Sequence, residues 1–288
     1  MLFSFLLPPA GPRTHPRRFE REPPSLRRRL RQKAFIWQMA GDAQARRALR
    51  MEPAATGEDG LLHLNLRGVR SPLVLRTEAG NDDRATVWEL FFHEPYGGLL
   101  PPAYQTVLDL GANVGLTLAY LLYRAAPVER YVGVEADPAT FAILRRQVEA
   151  LGMTGRARLF NVAASDRHGP LRFSTAGESI LHGVSETGDL EVPGRTVAEI
   201  MDAAEMPEAD FMKLDIEGGE RQVIADAAKW AGRVKRIAAE LHYDMDAAWL
   251  RKELRPLGFR VFDVGELFRE TVGAIREDVA DELPRHLR

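Results

Sequence analysis

The rhythm of hydrophobic and polar positions changes near Val107. Before it the elements are short and mixed. Residues 25–50 suit a helix with a narrow apolar stripe anchored by Leu26, Leu30 and Ile36–Trp37. Apolar and polar residues alternate over 61–77, which predicts two short strands. A further helix is expected from about Ala85 to His93, stopped by Pro95 and the glycines after it. From Val107 onward strand and helix patterns alternate. "VLDL", "YVGVEA", "ARLFNVAAS", "DFMKLDI", "VKRIAAELH" and "FRVFDVG" read as strands. Between them, Asp137 and Pro138 cap a helix whose apolar face is Phe141, Leu144, Val148 and Leu151, and Gly152 ends it. Thr196 and Glu199 have the spacing of a capping box. "ERQVIADAAKWA" and "DAAWLRKELRPLG" complete the helices. Such alternation predicts an α/β fold: a mostly parallel sheet with helices on both faces and ligands beyond the carboxyl ends of the strands.

Composition adds limits. Of 288 residues, 45% are hydrophobic and 28% charged, as in an ordinary globular chain with ample material for a core. The absence of cysteine excludes disulfides, thiolate metal sites and cysteine nucleophiles, and fits a cytoplasmic location. "MLFSFLL" is too short for a secretion signal, and no run approaches the length of a membrane span. The formal charge of −2 hides an asymmetry. Residues 13–50 hold 12 Lys or Arg against Glu20, Glu22 and Asp42, a balance of +9, which leaves −11 on residues 51–288. A basic arm on an acidic body binds nucleic acid or a membrane surface, or else pairs with its own body or stays solvated. Residues 1–24, rich in Pro and Arg, are expected to be a disordered leader.

Three groups of residues carry candidate chemistry. The first is Asp109, Gly111, Asn113 and Gly115 in "DLGANVG", where a strand turns into a helix. Glycine there lets a ligand touch the main chain, and the helix start offers free N–H groups. The glycines stand four apart, and Asp109 would repel a pyrophosphate and welcome a cation, which argues against a dinucleotide. The second is Glu135, 20 residues beyond Gly115 at the end of the next strand, placed to accept hydrogen bonds from ribose hydroxyls. The third gathers Lys213, Asp215, Glu217 and Glu220 of "KLDIEGGE" with Glu240 and His242 of "ELH". In a parallel sheet the ends of these strands are neighbours. His242 can take a proton from a hydroxyl, with Asp215 or Glu240 orienting it or raising its basicity. The same carboxylates and imidazole could hold Mg²⁺ or Mn²⁺, although Glu217 and Glu220 also simply favour a helix N-terminus; no metal is assigned. Glu94 and Tyr96 fold over the ligand or merely pack.

These residues resemble a known family. "VLDLGANVGL" and "VGVEADPATFAIL" look like the first two motifs of S-adenosylmethionine-dependent methyltransferases. "NVAASD", "RTVAEI", "FMKLDIEGGE" and "IAAELH" resemble the FkbM methyltransferases in the same order, across roughly 73–265. The resemblance implies a seven-stranded Rossmann-like domain over 101–288, preceded by a helical and strand extension over 25–100. It implies that Asp109, Gly111, Asn113 and Gly115 hold the amino acid end of S-adenosylmethionine, that Glu135 holds its ribose, and that the N–H of Ala163 reads its adenine. It further implies O-methylation of a small-molecule natural product, a sugar or a glycan, with His242, Asp215 and Glu240 as the catalytic group. The rival readings are an RNA methyltransferase using the basic arm, and a scaffold that keeps the cofactor pocket without the chemistry.

Overall fold

The computed structural model describes residues 26–100, 104–124, 127–174, 183–184, 190–264 and 271–282, so the leader expected at 1–24 lies outside the described residues. Two helices, Leu26–Met39 (α1) and Ala43–Leu49 (α2), stand where one was expected. Between them Asp42 accepts the Ala45 N–H (2.7 Å), and this cap starts a new helix rather than continuing the old one. Leu62–Leu64 (β1) and Leu73–Leu75 (β2) pair antiparallel, as expected. A tight pair, Thr77–Glu78 (β3) with Asn81–Asp82 (β4), leads into Arg84–Val87 (α3) and a π-helical stretch over Trp88–His93. That stretch ends on Glu94 in the left-handed region, the residue before Pro95.

The strands and helices from Thr106 onward build the main sheet. In chain order they are Thr106–Leu110 (β5), Leu116–Tyr123 (α4), Arg130–Val134 (β6), Pro138–Ala150 (α5) and Ala157–Phe160 (β7). "ARLFNVAAS", expected as one strand, breaks after β7. Asn161 donates its amide to the carbonyls of Glu135 and Ala136 (both 2.9 Å), and the chain leaves the sheet there. Ala163–Ser165 (β8) then joins Gly169–Ser174 (β9), Gly183–Val184 (β10) and Leu190–Thr196 (β11) in a separate sheet ordered β10-β9-β11-β8. The three later strands of that sheet were not expected. Pro170, Pro193 and Gly194 interrupt the alternation that marks a strand.

The chain returns through Val197–Ala203 (α6), with the expected capping box at Thr196 and Glu199, to Phe211–Leu214 (β12). Glu220–Ala225 (α7), Arg236–Glu240 (β13), Ala247–Leu254 (α8), Phe259–Asp263 (β14) and Thr271–Arg276 (β15) follow. The main sheet has seven strands in the order β14-β15-β13-β12-β5-β6-β7. It is parallel from β7 through β13, and β15 runs antiparallel between β13 and β14. This is the expected Rossmann-like α/β fold. β5 has β6 on one side and β12 on the other, so the connections diverge at its carboxyl end, where such sheets bind ligands.

Alternation along each strand divides the core in two. Leu108, Val132, Met212 and Ile237 face α6, α7 and α8, while Val107, Tyr131, Phe211 and Ala238 face the other side. On that other side Phe35, Leu49, Leu62, Leu73, Leu75 and Leu90 of the extension share one continuous core with α4 and α5. The extension is therefore a wall of the main-sheet domain.

Candidate cofactor and catalytic site

The loop after β5 adopts left-handed angles at Gly111 (φ 79°), Asn113 (φ 48°) and Gly115 (φ 84°). A Cβ on Gly111 would lie 1.7 Å from the carbonyl oxygen of Asp215, so only glycine lets the ends of β5 and β12 approach this closely. Gly115 opens α4, and a Cβ there would meet Leu144 at 3.0 Å and Gln147 at 3.2 Å on α5. The loop borders a cleft of about 660 Å³, open to solvent, whose lining includes Gly111, Asn113, Glu135, Ala163, Asp215 and Glu217.

Glu135 follows β6 and is buried. Its Oε2 accepts the Asn113 N–H and its Oε1 the Asp137 N–H, both at 2.9 Å. Burial pushes the carboxyl up to about 7 in spite of these donors. Each oxygen keeps a further lone pair for a ligand. Ala163 borders the same cleft at the start of β8. Gly111, Asn113, Glu135 and Ala163 thus line the cleft together.

Asp109 and Gly115 do not line it. Asp109 is fully buried and accepts from the Tyr131 hydroxyl (2.7 Å), and its other oxygen stands 3.8 Å from the Lys213 ammonium. Burial raises its pKa, and Lys213 and Tyr131 work against this. Asp109 therefore acts beneath the loop rather than facing a cationic ligand. Lys213 Nζ donates to the Gly111 carbonyl (2.8 Å) and pairs with Asp215 (3.0 Å). Burial favours its neutral form, but Asp215 and Asp109 prevail and keep it charged.

The catalytic candidates meet at the ends of β12 and β13. β13 stops at Glu240, so His242, expected within that strand, reaches the cluster from the turn beyond it. Asp215, Glu240 and His242 nevertheless each present an atom within 4.8 Å of the others, an arrangement able to hold a divalent cation. The closest partner of His242 is Glu220: Nδ1 lies 2.9 Å from Oε1. That oxygen also accepts the N–H groups of Ile216 (3.1 Å) and Gly218 (3.2 Å), so Glu220, fully buried at the start of α7, is held in place. An ionised carboxylate only accepts, so Nδ1 carries the hydrogen and Nε2 is left facing Glu217 (3.3 Å) and Asp215 (3.9 Å). The structure gives the orienting role to Glu220, where the sequence suggested Asp215 or Glu240.

The electrostatics follow from crowding. Burial lowers the pKa of His242, but the Glu220 hydrogen bond and the charges of Glu220, Glu217 and Asp215 outweigh it and push the imidazole up to about 10. Burial and Asp215 raise Glu217 to about 8. Asp215, then burial and Glu89, raise Glu240 well above the usual carboxylate range. The cluster therefore retains protons that separate carboxylates would release. Beside it, Tyr243 is 78% exposed at φ 60°, and Gly218 leaves room for its ring, since a Cβ there would lie 2.3 Å from it. Glu94 pairs with Arg124 (2.8 Å), and Tyr96 is buried against Tyr120 and Phe211, so both pack rather than cover the cleft.

Among the described residues, no helix is long and apolar enough to cross a membrane. Comparison with curated proteins finds no match. Methyltransferase FkbM from Methylobacillus flagellatus KT is similar at 15% identity and a TM-score of 0.44, over 86% of this chain and 59% of that one. The METTL16 methyltransferase domain is similar at 12% identity and a TM-score of 0.42, over 65% of this chain and 66% of that one. Magnesium protoporphyrin IX methyltransferase from Synechocystis PCC 6803, solved with bound SAM, gives 15%, 0.36, 67% and 77% for the same quantities. The chain spans less than two thirds of the length of the first two. The model of the FkbM methyltransferase domain matches residues 109–268, more than half of the 288, and this chain belongs to that family.

Proposed function

We propose that the protein transfers a methyl group from S-adenosylmethionine to a hydroxyl oxygen of a small-molecule natural product, a sugar or a glycan. One observation carries the reading. Glu135 at the end of β6, and Asp215 and Glu217 beside the Glu220–His242 pair, border a single cleft. Its acidic lining suits a cation. Gly111, Asn113 and Glu135 would hold the cofactor, with Ala163 beside the adenine. When bound, the cofactor supplies an electrophilic methyl on a positively charged sulfur.

The chain's own work is to orient the acceptor and take its proton. His242 Nε2 would accept the proton of the acceptor hydroxyl as that oxygen takes the methyl group that the cofactor would supply. Glu220 fixes the imidazole so that Nε2 faces the cleft wall. A cation held beside Asp215 and Glu217 opposes the charges that raise His242, and so lowers its pKa toward neutrality. The base becomes competent as the site fills. Nucleic acid is not the acceptor in this reading, because the body beyond residue 50 is acidic.

Calorimetry with S-adenosylhomocysteine, followed by mass spectrometry of hydroxylated small molecules and glycans incubated with S-adenosylmethionine, tests it. Binding together with a product heavier by one methyl group supports the reading. Binding without turnover on a broad panel favours a scaffold, and no binding refutes the cofactor assignment.

A further inference from the structure

We infer that Arg76, in the extension outside the matched family domain, is a positioning residue for the cofactor loop. The inference rests on the cofactor reading above. Between Gly111 and Gly115 the loop has no regular ladder, and three of its residues sit at left-handed angles. Its shape depends on ties from elsewhere. From the sheet side, the N–H groups of Gly111 and Ala112 donate to the Val134 carbonyl (3.0 and 2.8 Å), and Lys213 holds the Gly111 carbonyl. From the other side, the Asn113 side chain accepts from Arg76 Nη2 (2.6 Å).

The Arg76 guanidinium is buried and spans three acceptors. Nε and Nη2 donate to the two oxygens of Asp83 (3.1 and 2.8 Å), Nη2 reaches Asn113, and Nη1 donates to Thr140 Oγ1 (3.0 Å) in the first turn of α5. Asn113 and Thr140 lie on the chain segments that flank Glu135. Asn113 also gives its N–H to Glu135 Oε2. A chain of hydrogen bonds therefore runs from Asp83 through Arg76 and Asn113 to the carboxylate assigned to the ribose. A second tie, from the Val74 N–H to Gln147 Oε1 (2.7 Å), fixes α5 to β2, the strand that ends just before Arg76. Only the planar fork of arginine meets these three acceptors at once; lysine keeps the charge beside Asp83 but offers its donors from a single point.

The test compares Arg76→Lys, Asn113→Gly and their combination. Glycine keeps the left-handed angle and leaves the Arg76–Asp83 pair intact should Arg76→Lys fold poorly; it removes the acceptor together with a side chain that lines the cleft, so the ligand-free exchange below, not affinity alone, reads loop positioning. Each single variant should raise the S-adenosylhomocysteine Kd about tenfold, and the double variant should be no weaker than either, because both break one chain. Hydrogen exchange at 111–115 in the ligand-free protein should quicken in both. If the wild type fails to bind S-adenosylhomocysteine while exchange still quickens, the cofactor reading falls and loop positioning stands. Wild-type affinity and exchange in folded variants, or losses that add in the double variant, would overturn the inference.

Discussion

Glu135→Ala separates cofactor binding from folding. In the wild type the buried carboxylate accepts two main-chain N–H groups and, in the proposed complex, ribose hydroxyls as well. Losing one hydrogen bond to a charged acceptor costs about 1.5–3 kcal/mol, which is roughly 10- to 160-fold in Kd. The cost to stability has a different sign and depends on pH. Burial raises the folded pKa to about 7 from 4.5. The stability contributed by this group is fully present below 4.5 and is lost as pH rises through about 7, because the unfolded chain releases its proton first. Alanine does not titrate, so the variant should gain on the wild type across that window, by about 3 kcal/mol. At pH 8 it should be folded, and calorimetry with S-adenosylhomocysteine should show affinity weakened at least about tenfold. Wild-type affinity in a folded variant would remove Glu135 from the site. Equal pH dependence of stability in the two proteins would refute the burial argument.

His242→Ala should lower kcat by roughly 10²–10⁴, the usual worth of a general base, with cofactor affinity unchanged; full turnover would mean that the site works by alignment alone. Because the imidazole of the ligand-free protein is raised to about 10 and the base must be neutral, kcat/KM should rise with pH below that value. Glu220→Gln removes the leading upward influence on His242 and should shift this profile to lower pH, and an unmoved profile would deny Glu220 its orienting role. Turnover should survive exhaustive chelation; a loss restored by Mg²⁺ or Mn²⁺ would make His242 a metal ligand beside Asp215 and Glu240. Gly111→Ala should lower the melting temperature sharply, since its Cβ would overlap the Asp215 carbonyl, and a native melting curve would contradict that packing.

Much of this protein is legible one residue at a time. The glycines at 111 and 115, the acid at 135 and the capping pair Thr196–Glu199 announce themselves because each satisfies a local need: a left-handed angle, a strand end, or a free N–H at a helix start. The alternation of strand and helix after Val107 sufficed for the fold, since period-2 and period-3.6 patterns reflect which face is buried. The seventh strand, β15, runs antiparallel between two strands that precede it in the chain, and local pattern carries no information about such a neighbour.

The side-chain alliances were decided only by tertiary structure. The sequence marks Asp109 as an acid beside a glycine turn; packing turns it inward to Tyr131 and Lys213. It marks Glu220 as favourable to a helix start; the fold of the 216–219 loop brings that carboxylate against His242, 22 positions away. Arg76 carries no local signal at all, since Asn113 and Thr140 are 37 and 64 positions distant. Burial is the physical reason for the divide. It converts ordinary acids and bases into groups that must find partners, and the partner is whichever residue the sheet brings near, not whichever stands near in the chain.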